Sequence, residues 1–186
     1  MKNPYEITLP PHKQTEAQKA LWAGLLRLWQ HKALCQIGIK ELCQTAHVAR
    51  STFYLYYQNS NELAEEMEDY HIRALMELNR EVTSTTGESY RFYQNTMEYL
   101  TEHKQLFYVW LVANPNEHFI AKWKKSIKAH LWERAKFEKD SPQQGLIMEM
   151  IAAAVVAGYT YWLQNPYEVD YAGMDQMVHQ TLAFIK

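Results

Sequence analysis

The stretch "IGIKELCQTAHVARSTFYLYYQNSNEL", residues 37–63, decides the fold. Ile39, Leu42, Cys43 and Ala46 fall at i, i+3, i+4 and i+7, so the spacing predicts a two-turn amphipathic helix after the break at Gly38. A helix that short is not stable alone in water and must pack against neighbours. "HVA" reads as a tight turn with Val48 pointing back to the core. From Ala49 or Arg50 to Tyr57 a third helix turns Phe53 inward, with Tyr57 following, and leaves Arg50, Ser51, Thr52, Tyr54 and Tyr56 on other faces. Two helices so joined make a helix-turn-helix whose second member has a polar and aromatic outer surface.

On the N-terminal side, Thr15 with Gln18 three residues on fits a capping box. Leu21, Leu25, Leu28 and Trp29 then repeat at helical spacing, which predicts a first helix ending near His31. On the C-terminal side, Asn59 is placed to cap a fourth helix with Glu62 reaching back to it. Leu63, Met67, Tyr70, Leu75 and Leu78 carry an apolar stripe along that helix. Beyond Thr83 the breakers "STTGES" (84–89), "ANPN" (113–116), "EKDSP" (138–142) and "QNPYEVD" (164–170) separate helices expected at 89–102, 104–113, 116–137, 142–163 and 172–185. The fold class is therefore all-α. An N-terminal three-helix helix-turn-helix domain (1–63) is joined by a long helix to a helical ligand-binding and dimerisation domain (64–186).

Composition agrees with a soluble globular chain: of 186 residues, 47% are hydrophobic and 22% charged. Two cysteines, Cys35 and Cys43, make no disulfide framework, and "MKNPYEITLPPHKQ" lacks the apolar run of a secretory signal, so a reducing cytoplasm is expected. "GLIMEMIAAAVVAGYTYWL" (145–163) approaches the length of a membrane span, but it contains Glu149 and lacks basic flanks. It reads as a helix buried on most of its circumference, its small residues letting another helix approach, and no membrane partner is expected. The net charge of −2 is unevenly spread. Residues 1–63 hold seven Lys and Arg against four Glu, +3, and the remainder twelve against seventeen acids, −5. A mildly basic front on an acidic body is the asymmetry of a small nucleic-acid module carried by another domain.

No catalytic constellation appears: nucleophile elbow, zinc-protease helix, Walker loop and dinucleotide fingerprint are all missing, so an enzyme is not expected. Glu68 and His71 form a single Glu-x-x-His pair, which reads as a solvated helix face, because a di-iron site needs two such pairs. Cys43 lies on an apolar stripe, and no zinc-type Cys-x-x-Cys occurs, so neither metal nor cofactor is expected. Aromatic residues are plentiful. Tyr90, Tyr93, Phe107, Trp110, Trp123, Tyr159 and Trp162 either fill the core of the second domain or line a cavity for an apolar or aromatic effector.

The segment 37–63 resembles the DNA-binding segment of the TetR family of bacterial transcription regulators, matching its usual run at Leu42, Ala46, Val48, Thr52, Phe53, Tyr54, Tyr57, Glu62 and Leu63. "RSTFYLYY" is similar to the branch that includes the dihydroxyacetone-kinase regulators, as is the tail "MIAAAVVAGYTYWLQNP". Three positions depart from the family pattern: Gly38 stands where a threonine is common, His47 where the turn glycine sits, and Ser60 where a phosphate-binding lysine opens the fourth helix.

The resemblance implies roles residue by residue. Arg50, Ser51 and Thr52 would face base edges or nearby phosphates, Arg50 with the geometry for a bidentate contact to guanine. Tyr54 and Tyr56 would bond phosphates, Lys40 would supply charge, and Ser60 would offer a hydroxyl and a backbone amide at a helix N-terminus. Tyr57 is expected to pack. The expected function is a dimeric repressor, paired through its last two helices, that binds a near-palindromic operator in double-stranded DNA and is released by an effector. The other reading is a co-regulator or ligand sensor of the same fold that has lost operator binding and acts through a protein partner.

Overall fold

The computed structural model describes residues 14–79, 88–134 and 142–168, together with Gly173 and Gln176. Helix α1, Glu16–Trp29, begins at the anticipated capping box. The Thr15 hydroxyl accepts from the Gln18 N–H at 3.3 Å, and the Gln18 side chain accepts from the Thr15 N–H at 3.0 Å. A 3₁₀ turn, Leu34–Gln36, leads to α2, Ile39–Ala46, which precedes α3, Arg50–Tyr56. Then come α4, Ser60–Leu78, and α5, Glu88–Glu102. Helix α6, Lys104–Tyr108, runs on through a π-helical turn, Val109–Ala113, and is followed by α7, Glu117–Arg134, and α8, Pro142–Gln164. Among the described residues there is no strand. The expected last helix, 172–185, falls almost wholly outside them.

Helices α1, α2 and α3 pack on one another and on the start of α4, burying Leu21, Leu25, Leu42, Cys43, Phe53 and Leu63. The crossing of α1 and α2 is close because Gly24 faces Ala46. A Cβ at position 24 would lie 2.9 Å from the Ala46 Cβ and 3.1 Å from its backbone nitrogen. The same core continues into the body, where α4 packs on α5 and α7, α7 on α8, and α6 with its π turn on α8. Trp29 at the end of α1 meets Trp110 of the π turn, ring centroids 5.9 Å apart. Beside them the Asn114 amide donates to the Trp29 carbonyl at 2.7 Å.

Two expectations about exposure need correction. Along α4 the apolar stripe was assigned to Leu63, Met67, Tyr70, Leu75 and Leu78, yet Tyr70 and Leu78 are exposed, and Glu68 and His71 are buried in their stead. The Glu68–His71 pair is therefore no solvated face. Both Glu68 oxygens are occupied, by the Asn116 amide at 2.8 Å and His118 Nδ1 at 2.6 Å, with Lys122 Nζ at 3.2 Å. Hydrogen bonding and charge pairing of this kind are what make a buried carboxylate tolerable. Helix α8, expected to be buried around most of its circumference, instead leaves a stripe of Leu146, Met150, Ala153, Ala154, Ala157 and Tyr161 exposed at helical spacing. It is long and apolar enough to span a bilayer by length and composition, but Glu149 on its flank pairs with Lys124 and Lys128 of α7, which hold its carboxyl below its ordinary pKa.

Candidate nucleic-acid interface

The turn between α2 and α3 is set by His47, whose φ of 55° and ψ of 37° put it in the left-handed region, the one non-glycine residue so placed among those described. Histidine enters that region more readily than most side chains, which explains how it replaces a turn glycine. The left-handed step lets the Val48 N–H bond to the Cys43 carbonyl at 3.0 Å, ending α2 and tucking Val48 half-inside against the core. The chain then enters α3, Arg50–Tyr56. Phe53 is fully buried and Tyr57, just past the helix, is buried too, which orients the remainder of α3 outward.

Tyr57 fixes how α3 sits relative to its neighbours. Its hydroxyl donates to the Glu66 carboxylate of α4 and accepts from Gln18 Nε2 of α1 at 3.2 Å. Burial and the Glu66 carboxylate both push the phenol above its ordinary pKa, so it stays a donor. The packing role expected of Tyr57 is the one the structure gives it.

Outward, Arg50 and Ser51 are exposed, Thr52 is half-buried, Tyr54 is 51% exposed, Leu55 78% and Tyr56 36%. Tyr54 and Tyr56 are not loose: each ring rests on a buried neighbour, Tyr54 edge-on to Phe53 at 5.5 Å and Tyr56 tilted against Tyr57 at 6.1 Å. Lys40 is exposed on α2. With Gln44, His47 and Arg50 it surrounds an open groove of about 420 Å³, floored by Cys43 and Val48. Among the described residues neither Lys40 nor Arg50 is tied into an ion pair. Two other front cations are engaged: Lys32 pairs with Glu41 at 2.5 Å, and Arg27 donates to the Thr45 carbonyl at 3.0 Å. Burial raises the Cys43 thiol pKa, which argues against a reactive cysteine in the groove.

Sequence reasoning missed Gln44, His47 and Leu55 on this surface. Lys40, Gln44 and His47 stand at i, i+4 and i+7, a polar stripe opposite the apolar one already counted, and that spacing was the available signal. Ser60 is placed differently from expectation. It is buried, and its hydroxyl donates to the Ile37 carbonyl at 3.1 Å, so the side chain ties α4 to the segment before α2 instead of facing outward. Asn59 caps α4 by accepting the Glu62 N–H at 3.0 Å. The Glu62 carboxylate reaches back one residue further than expected, to the Gln58 N–H at 2.6 Å.

In the body, Phe107, Trp110, Trp123, Tyr159 and Trp162 are buried and, apart from Trp162, packed ring on ring. Trp110 and Phe107 each contact Phe119, and Trp123 stacks on Tyr159 at 5.5 Å. They fill a core. The side chains of Tyr90 and Tyr93 lie outside the described residues. Among the described members of the set, Trp123 also borders a cleft, about 220 Å³, between the end of α4 and α7, where Leu75, Met76, Asn79, Ser126 and Glu133 join it.

Residues 87–183, just over half the chain, match the family described as "Transcriptional regulator C-terminal region". The chain is 26% identical over 155 residues to the HTH-type dhaKLM operon transcriptional activator DhaS of Lactococcus lactis subsp. lactis, covering 78% of each. Among solved structures, it is similar to a dihydroxyacetone kinase operon activator DhaS, with a TM-score of 0.56, 21% identity and 91% and 93% of the two chains covered. It is also similar to the fatty acid degradation regulator FadR from Bacillus halodurans, with a TM-score of 0.65, 17% identity and 92% and 96% covered.

Proposed function

The chain belongs to the TetR family of transcriptional regulators, and from that premise we propose that it reads a near-palindromic DNA operator as a homodimer. The observation that carries the reading is the outward face of α3 beside the Lys40–Arg50 groove: two cations held in no ion pair among the described residues, bracketed by hydroxyl and amide donors. Arg50, Ser51 and Thr52 approach base edges. Tyr54 and Tyr56, braced from behind, and Lys40, Gln44 and His47 along α2 bond phosphates, which position the helix without reading sequence. With so few cations, counterion release is small, and the affinity depends only shallowly on salt.

The exposed stripe of α8 supports the dimer. It presents small and apolar residues where a second copy's α8 can pack, and two-fold pairing sets the recognition helices about 34 Å apart. Residues 1–63 act as the DNA-binding unit and 64–186 as the effector-binding and dimerisation unit. A small effector enters the cleft between α4 and α7, where apolar Leu75, Met76 and Trp123 meet polar Asn79 and Ser126. It acts by shifting α4, which runs from that cleft to the base of the helix-turn-helix. Repression lifted by the effector is the first reading of the sign. A relative named as an operon activator favours activation as the second.

Selection of duplexes from a random pool, then affinity at several salt concentrations, tests this function. An enriched inverted repeat is expected, with Arg50→Ala costing about 1–3 kcal/mol and relaxing preference at particular bases. Absence of any enriched sequence would instead support a co-regulator working through a protein partner.

A further inference from the structure

We propose that Leu55 is a specificity-determining residue that reads the C5-methyl group of a thymine in each half-site. This rests on the operator-binding reading above and extends it to a residue with no polar chemistry. Leu55 is the most exposed of the large hydrophobic side chains on α3, at 78%, and it stands one turn after Ser51, so the two share a face. A scattered surface leucine ordinarily needs no explanation. Here its position is what matters, because the tyrosines on either side rest against the rings of Phe53 and Tyr57 and are 51% and 36% exposed, against 78% for Leu55. It therefore projects from the C-terminal turn of α3, further into solvent than either neighbour.

A branched aliphatic side chain entering a major groove has one favourable partner among the base edges. The donors and acceptors of guanine, cytosine and adenine lose water against it without gaining a bond, whereas the thymine methyl is apolar and stands out into the groove. Docking Leu55 against that methyl removes apolar surface of both groups from water and leaves base hydrogen-bonding groups hydrated. The same contact discriminates against cytosine, which lacks the methyl at that position. Arg50, almost a turn and a half earlier on α3, would take a neighbouring base, so that charge and apolar readout alternate along one helix.

The test uses the full chain and duplexes carrying its selected site, with thymidine replaced by deoxyuridine one position at a time, which deletes a single methyl and nothing else. The wild type is expected to lose about three- to fivefold in affinity at one thymine per half-site, the scale of one methyl kept from water. Leu55→Ala binds the unmodified site more weakly by a similar factor and no longer distinguishes thymine from uracil there, while keeping its sensitivity at bases read by Arg50. The substitution removes only exposed surface and installs the best helix former, so unchanged helical content is expected and checked by circular dichroism. Indifference of the wild type to uracil at every position, or equal uracil sensitivity in Leu55→Ala, overturns the role of Leu55 while leaving operator binding intact. Failure to enrich any duplex overturns both.

Discussion

At Gly38 the start of α2 lacks a side chain where a cap belongs. Its backbone is extended, φ −78° and ψ 146°, a conformation open to any residue, and a Cβ there would meet nothing within 4 Å. Gly38→Thr is thus expected to fit without strain, to stabilise the chain by about 0.5 kcal/mol through a new cap and a less flexible unfolded state, and to add a hydroxyl beside the DNA. Because that donor is neutral, operator affinity should rise with no steepening of its salt dependence. Urea unfolding and binding at two salt concentrations check both halves; weaker binding by a stabilised variant would mean α2 does not lie against phosphate. Single residues also mark the reach of sequence reading. The left-handed turn at His47 was legible because the turn is local. Ser60 was not, because its partner, the Ile37 carbonyl, lies 23 residues away and no spacing rule relates them.

Among the elements, α4 is one of two whose exposure the sequence misjudged, and the reason is physical. A period of 3.6 residues places a stripe, but whether a polar residue lies in or out depends on what meets it. Glu68 is satisfied by Asn116 and His118, some fifty positions on, and His71 by the Tyr99 hydroxyl at 2.7 Å. His71 lies among Trp22, Tyr70, Tyr99, His103, Phe107 and Trp110. Burial first, then nearby His103, lowers its pKa to about 3 from 6.5. Unfolded, the ring takes a proton near pH 6.5; folded, it stays neutral to about 3, so unfolding takes up a proton between those values. The stabilisation is full above 6.5 and falls as pH drops below it. His103, also lowered by burial, acts in the same direction. Between pH 7 and 5, His71 alone should cost about 2 kcal/mol of unfolding free energy. His71→Gln keeps a hydrogen-bonding partner for Tyr99 but cannot titrate, so urea unfolding at the two pH values should show that much less acid sensitivity; a loss equal to wild type would place the titrating group elsewhere.

For the whole molecule, one cluster of buried apolar residues runs from Leu21 to Leu163, and Trp29–Trp110 with Asn114 ties the end of α1 to the body. The helix-turn-helix is thus braced at α4 and again at the π turn, and in the proposed homodimer its spacing relative to a second copy would depend on how α8 is paired. Ala153, Ala154 and Ala157 face outward yet carry no polar group, which suits close approach of a second helix better than contact with water. Ala157→Arg puts a charge at that approach. In a lone chain the side chain points to solvent and should leave helix content and melting of the monomer nearly unchanged. In a dimer it must be desolvated beside its symmetry mate, a like-charge pair, and assembly should weaken by several kcal/mol. Light scattering at micromolar concentration is expected to move from dimer to monomer, and operator affinity should drop toward that of a single half-site, since the two recognition helices no longer bind as one unit. A variant that remains dimeric, or a wild type that is already monomeric, would mean that α8 is not the interface and that the recognition helices are paired, if at all, through another surface.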